Sequence, residues 1–253
     1  TGYAAGMTHI WIRAEQRDHE TRTGITPDGV RALMDAGVRV TVEQSPTRVI
    51  PDGAYAAVGC VMAPQHSWPS APKDAVIFGL KELPDDGTPL PHRHIMFGHA
   101  FKGQPAGLRL LERLRAGSGT LLDLEYLVDD GGRRVAAFGY WAGYVGAALA
   151  VIAWARREIG AEPTLEPLVP WPDRETLLQH TRTLLERARG ELSGQPSMII
   201  IGAGGRVGSG ALALAEELSI TTTPWDIKET AAGGPFPEIL EHDLLVNCVL
   251  ADR

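Results

Sequence analysis

A chain of 253 residues can bury a sizeable core, as one large domain or two ordinary ones. With 44% apolar and 22% charged residues it reads as a globular protein, and a formal net charge of −7 argues against nucleic acid or an acidic membrane as its main partner. Cys60 and Cys248 are far apart, sit in apolar contexts and lack metal-ligand spacing, so both read as small buried residues and no metal is expected. Residues 1–6, ahead of Met7, read as a leftover of expression rather than native sequence. Without a secretory pattern behind them, the protein is expected in the cytoplasm.

In chain order, His9 to Arg13 reads as a strand, followed by a polar loop and the helix TPDGVRALMDAG. There Thr26 suits the N-cap, Pro27 the first helical position and Gly37 the stop. Arg39 to Glu43 alternates as a strand, Ala75 to Leu80 is a short apolar strand ending at Lys81-Glu82, and Ile95 to Phe97 is another ending at His99. Helical periodicity covers Pro105 to Ala116, and Thr120 to Leu124 returns to strand. This rhythm implies a parallel sheet with helices on both faces. The stretch Gly139 to Ala155 is apolar, but too short and too glycine-broken for a membrane span, and reads as a buried helix between domains. A proline-rich segment (Glu162 to Pro172), a helix (Asp173 to Arg189) and a polar linker (Gly190 to Pro196) follow.

Next comes SMIIIGAGGRVGSGALALAEELSITTTPWDI, from Ser197 to Ile227. The apolar run Met198 to Ile201 reads as a buried parallel strand entering a GxGxxxG turn (Gly202, Gly204, Gly208) and a helix. Gly202 permits a tight turn and Gly204 a close approach of backbone to pyrophosphate, while the helix N-terminus offers N–H groups to the anion. Asp226, about twenty residues on, can accept both ribose hydroxyls and would repel a 2′-phosphate, favouring NAD over NADP. The plain alternative is a β-turn-α packing corner. After one more strand, Asp243 to Leu250, the sheet is cut short of the usual dinucleotide-binding set.

Functional groups in such sheets collect beyond the carboxyl ends of the strands, where Lys81 and His99 fall. A cleft there can desolvate both, although a strand-end lysine is more often solvated and a lone histidine structural. Arg22 and the pair Arg133-Arg134 are equally ambiguous, as surface charges or as bidentate carboxylate ligands.

The segments RAEQRDHETRTGITP, GLKELP, HIMFGHAFKGQ, GTLLDLEYLVDDGGRRVAAFG, YWAGYVGAALAV, IIIGAGGRVGSGA and WDIKETAAGGPF together resemble NAD-dependent, lysine-forming saccharopine dehydrogenases. That family belongs to the alanine dehydrogenase and transhydrogenase-like fold group. The resemblance implies an α/β protein of two Rossmann-like doubly wound domains: a substrate domain (residues 7–140), an interdomain helix and linker (141–196), and a dinucleotide-binding domain (197–253), incomplete at its C-terminal side. It implies Lys81 and His99 as the acid/base pair, with Glu82 and Glu125 tuning their pKa values. Arg22, Gln104, Arg134 and Phe138 are then substrate-binding. Arg133, Gly205, Arg206, Asp226 and Thr230 join Gly202 and Gly204 as cofactor contacts. A family tyrosine is replaced by Leu250, and further family contacts come from residues beyond Arg253.

The reaction implied is saccharopine plus NAD and water giving L-lysine, 2-oxoglutarate and NADH. The substrates would be these small molecules, with neither nucleic acid nor membrane as partner, and the assembly a monomer or weak oligomer. The alternatives are a dehydrogenase of another opine-type secondary amine, and a non-catalytic dinucleotide-binding module.

Overall fold

Short apolar runs, buried from both faces, build the first unit around a six-stranded parallel sheet. The computed structural model describes residues 8–101, 103–161, 168, 170–191 and 194–249. The chain divides into two compact units, Thr1–Ala137 and Phe138–Arg253. Residues 1–6, Leu250 and most of the proline-rich segment singled out above lie outside the described residues.

The first unit runs β1 (His9–Ile12), α1 (Pro27–Asp35), β2 (Arg39–Glu43), α2 (Asp52–Ala57), β3 (Val61–Ala63), β4 (Val76–Phe78), β5 (Arg93–Met96), α3 (Pro105–Gly117) and β6 (Thr120–Asp123). The strand order is β3-β2-β1-β4-β5-β6, every pairing parallel. This is the doubly wound order, and the winding reverses between β1 and β4. Strand β4 shows why a parallel strand reads as a continuous apolar run. Its Phe78 packs with Ile12, Val42 and Leu80 on one face, and its Ile77 with Trp68, Met96 and Leu114 on the other.

Thr26 caps α1 as expected, accepting the Gly29 N–H at 3.3 Å. Two elements were not legible. Helix α2 and strand β3 are six and three residues long, and Val61 at the sheet edge is exposed. Strand β5 starts earlier than its apolar run because Arg93 and buried His94 belong to it.

The second unit holds α4 (Gly139–Glu158), α5 (Arg174–Glu191), β7 (Ser197–Ile201), α6 (Arg206–Glu217), β8 (Thr221–Trp225), α7 (Ile227–Thr230) and β9 (Leu244–Asn247). Its parallel sheet has the order β8-β7-β9 among the described residues. Met198 and Ile200 of the central strand pack into a core with α4, α5 and α6. Helix α4, expected as a connector between domains, is thus the buried centre of this unit, and α5 packs there too. Its glycine spacing has a packing cause. A Cβ at Gly143 would overlap the Val207 carbonyl, and one at Gly210 of α6 the Tyr140 carbonyl. Burial, helped by the hydrogen bond that Tyr144 Oη donates to Glu217 at 2.9 Å, pushes the phenol up to about 12. Among the described residues no helix is long and apolar enough to cross a membrane.

Candidate active site

Ligands bind in doubly wound sheets outside the carboxyl ends of the strands, where the winding reverses. In the first unit those ends are Arg13 to Glu15 after β1 and Gly79 to Lys81 after β4. The Glu15 carboxylate, buried, accepts the Leu80 N–H at 2.7 Å and the Lys81 N–H at 3.0 Å. Arg13, its side chain 1% exposed, pairs with Glu15 at 3.3 Å and donates to the Lys81 carbonyl. Burial lowers the Arg13 pKa from its ordinary value, opposed by Glu15 and Glu43. The backbone of Lys81 is therefore held at both its N–H and its C=O by the neighbouring strand. Neither Arg13 nor Glu15 was singled out from sequence.

Arg22 meets a partner in its own loop. Its Nε and Nη2 donate to the two carboxylate oxygens of Glu20 at 2.8 and 2.6 Å, a bidentate pair. Those bonds pull Glu20 below the usual carboxylate range, and the Lys81 charge adds to the pull, so the lysine lies within electrostatic reach of this pair. Glu82 is exposed, with Arg17 at 3.5 Å.

The next strand end, after β5, carries His99 in a left-handed conformation (φ 49°). A non-glycine residue there is uncommon, and such strain gathers at functional positions. His99 Nδ1 lies 3.9 Å from Glu125 Oε2, and Arg134 Nη1 lies 3.1 Å from Glu125 Oε1. Glu125 thus sits between a histidine and an arginine, both half-exposed. Asp123 Oδ1 accepts the N–H groups of Gly98 at 3.2 Å and Glu125 at 3.0 Å. A cavity of about 420 Å³ is lined by His99, Glu82 and Gln104, with Met96, Phe97 and Leu110 as apolar wall.

Of the remaining residues expected at the site, only Gln104 shares that cavity. Gln104 is the N-cap of α3. Arg133 is 82% exposed and paired with Asp129 at 3.2 Å. Phe138 is the N-cap of α4, at the start of the second unit. Among the described residues no group of histidines, cysteines and acids could hold a metal ion.

In the second unit the GxGxxxG turn has the shape a dinucleotide needs. Gly202 adopts φ 82°, and Gly208 sits so close that a Cβ there would lie 2.5 Å from Ala203 Cα. The first allows the tight turn and the second lets helix α6 abut the strand. Gly205 is the N-cap of α6 and no side chain caps that end, the kind of helix start at which a phosphate is received. Asp226, at the end of β8, accepts the Gly204 N–H at 2.7 Å through Oδ2 and the Ile227 N–H at 2.8 Å through Oδ1, and Glu229 completes a capping box. The carboxylate is pinned beside the turn with lone pairs remaining for ribose hydroxyls. Thr230 Oγ1 donates to the Asp226 carbonyl at 3.0 Å. These residues fit a nicotinamide dinucleotide.

The fold and this geometry define a class. Residues 11–145 match the family model for the alanine dehydrogenase/PNT N-terminal domain. The chain shares its fold with a transhydrogenase from Sinorhizobium meliloti, at TM-score 0.55 and 16% identity over 96% of this chain and 70% of that one. It does so also with an L-alanine dehydrogenase, at 0.53 and 17% over 94% and 60%.

Within that class the likeness narrows. The L-lysine-forming, NAD(+)-dependent saccharopine dehydrogenase of Emericella nidulans is 46% identical over 252 residues, 96% of this chain and 67% of the relative. That of Schizosaccharomyces pombe is 43% identical over 246 residues, 95% and 67%. The chain belongs to this saccharopine dehydrogenase family, and it spans about two thirds of the length of these relatives.

Proposed function

We propose that the protein catalyses the family reaction, saccharopine plus NAD and water giving L-lysine, 2-oxoglutarate and NADH, with Lys81 and His99 as its acid/base pair. The observation that carries the reading is the juxtaposition of β4 and β5, paired in parallel with Phe78 opposite Ile95. Lys81 and His99 follow the carboxyl ends of these neighbouring strands, the first within electrostatic reach of the Glu20–Arg22 pair, the second facing Glu125, which also meets Arg134. A secondary amine bearing three carboxylates calls for such a mixture: guanidinium groups to hold anions, and two proton carriers at the reacting carbon and nitrogen.

The roles follow from the chemistry. Lys81 Nζ takes the proton of the secondary amine as the carbon–nitrogen bond is oxidised to an imine. His99 holds Nδ1 toward Glu125, so Nε2 is the nitrogen that takes a proton from the water adding to the imine carbon. The proton returned to nitrogen lets lysine leave as the carbonyl of 2-oxoglutarate forms. Glu125, 3.9 Å from His99 Nδ1, and Glu82, next to Lys81 in the chain, are two carboxylates near this pair. Arg22, Gln104, Arg134 and Phe138 contact the substrate. Gly202, Gly204, Gly205, Arg206, Asp226 and Thr230, together with Arg133, hold the dinucleotide, which when bound supplies the hydride acceptor.

The test is NADH oxidation by the full-length enzyme, dependent on both L-lysine and 2-oxoglutarate. Lys81→Met and His99→Gln should each cut turnover by about 10²–10⁴-fold while NADH affinity is kept. NADH binding without any turnover would favour a non-catalytic module, and turnover only with a different amine would favour another opine-type dehydrogenase.

A further inference from the structure

The loop carrying His99 and the turn carrying Glu125 leave neighbouring strands, β5 and β6, and one carboxylate joins them. Asp123, the last residue of β6, spends a single oxygen on both. Its Oδ1 accepts the N–H of Gly98, immediately before His99, at 3.2 Å, and the N–H of Glu125 at 3.0 Å. Its other oxygen, Oδ2, is buried and has no hydrogen-bond partner among the described residues. Gly98 runs close against β6, where a Cβ would lie 2.8 Å from Leu121 Cδ2.

We propose that Asp123 is a positioning residue for the acid/base histidine. It fixes the backbone on which the left-handed His99 stands and, through the second bond, the carboxylate that faces the imidazole. Losing Oδ1 frees both ends of the His99–Glu125 contact at once. At 3.9 Å that contact is already long, and a further displacement takes Glu125 out of reach of Nδ1. The inference rests on the role proposed for His99.

Steady-state kinetics of the full-length enzyme test it, with kcat/KM followed against pH. Asp123→Ala should lower kcat by about 10²-fold, the scale set by misplacing a catalytic group by an ångström. It should also displace the pH profile while leaving the NADH KM at the parent value. Asp123→Asn should restore most of the loss, because its carbonyl oxygen can accept the same two N–H groups. In a His99→Gln background, Asp123→Ala should cost little more, since the two act through one group.

A parent-like kcat and pH profile in Asp123→Ala, with only a lowered Tm, overturns the proposal and leaves the role of His99 intact. Parent-like turnover in His99→Gln alone rejects the acid/base reading, and this proposal with it. Should the alanine variant not fold, Asp123→Glu carries the same expectation. It keeps the charge but moves the carboxylate by one methylene, so unchanged turnover in that variant is equally fatal.

Discussion

Removing Glu15 should cost the first unit more than removing any residue proposed to touch substrate. Its carboxylate receives two backbone N–H groups, Leu80 at 2.7 Å and Lys81 at 3.0 Å, and the guanidinium of Arg13 at 3.3 Å, in surroundings that leave Arg13 1% exposed. Glu15→Ala strands a buried cation and two donors. Breaking a buried ion pair from one side costs about 3–5 kcal/mol, set against a total of roughly 5–15 kcal/mol for a typical domain. Glu15→Gln is the sharper probe. It keeps the volume and one acceptor, but turns an NH₂ toward either a backbone N–H or the guanidinium, so about 1–3 kcal/mol should be lost to one unsatisfied donor. Urea unfolding of the full-length protein, with hydrogen exchange to localise the loss, measures both. Exchange should rise first at Leu80 and Lys81. A Glu15→Gln variant within experimental error of the parent, with those two amides still protected, would falsify the account of Glu15 as the clamp on the Lys81 backbone.

Three further outcomes are expected. Asp226→Ala should weaken NADH binding by about 1.5–3 kcal/mol and erode the preference over NADPH, read by calorimetric titration; equal affinity for both cofactors in the unmodified protein would remove the ribose role. His94, 1% exposed beside Trp68, has its pKa lowered from 6.5 to about 3, first by burial and then by neighbouring positive charge. The unfolded chain therefore binds a proton below pH 6.5 that the folded one refuses. Stability should fall with decreasing pH by about 2 kcal/mol on reaching pH 5, and His94→Phe should flatten that slope in urea unfolding. In α4, Gly143→Ala should cost about 1–3 kcal/mol by overpacking against α6. Gly146→Ala, with nothing within 4 Å of its Cβ, should instead stabilise by roughly 0.5–1 kcal/mol in thermal unfolding.

The doubly wound architecture was legible because its signals are local. β-branched runs such as Val40 to Val42, the Thr26-Pro27 helix start and the Gly202 turn each state their conformation in a few residues. The misplaced element is α4. Its composition marks it as buried, but not what buries it. The close crossing of Gly143 with Val207, and of Gly210 with Tyr140, pairs residues more than sixty positions apart, and no periodicity within α4 points to a partner in α6. Helix α2 and strand β3 escaped for a simpler reason: neither is long enough to show a period.

The site divided along a similar line. Lys81 and His99 could be placed beyond the ends of β4 and β5 because a strand end is a position that sequence reveals. The groups that hold them could not, because Glu15 and Asp123 act on backbone N–H groups, which every residue carries and which leave no mark in the choice of partner. Arg22 shows the converse. An arginine in a long loop reads as a carboxylate ligand, and it is one, but Glu20, two residues earlier, already takes its Nε and Nη2. Any substrate carboxylate there must share the guanidinium with Glu20 or displace it. The same holds for Arg134, whose Nη1 faces Glu125. Both arginines are thus held by carboxylates that lie near the proposed acid/base pair, Glu20 within electrostatic reach of Lys81 and Glu125 at 3.9 Å from His99. A substrate carboxylate that draws either arginine away would leave Glu20 or Glu125 without its cation, so binding an anion at these arginines must first compete with the two ion pairs already present.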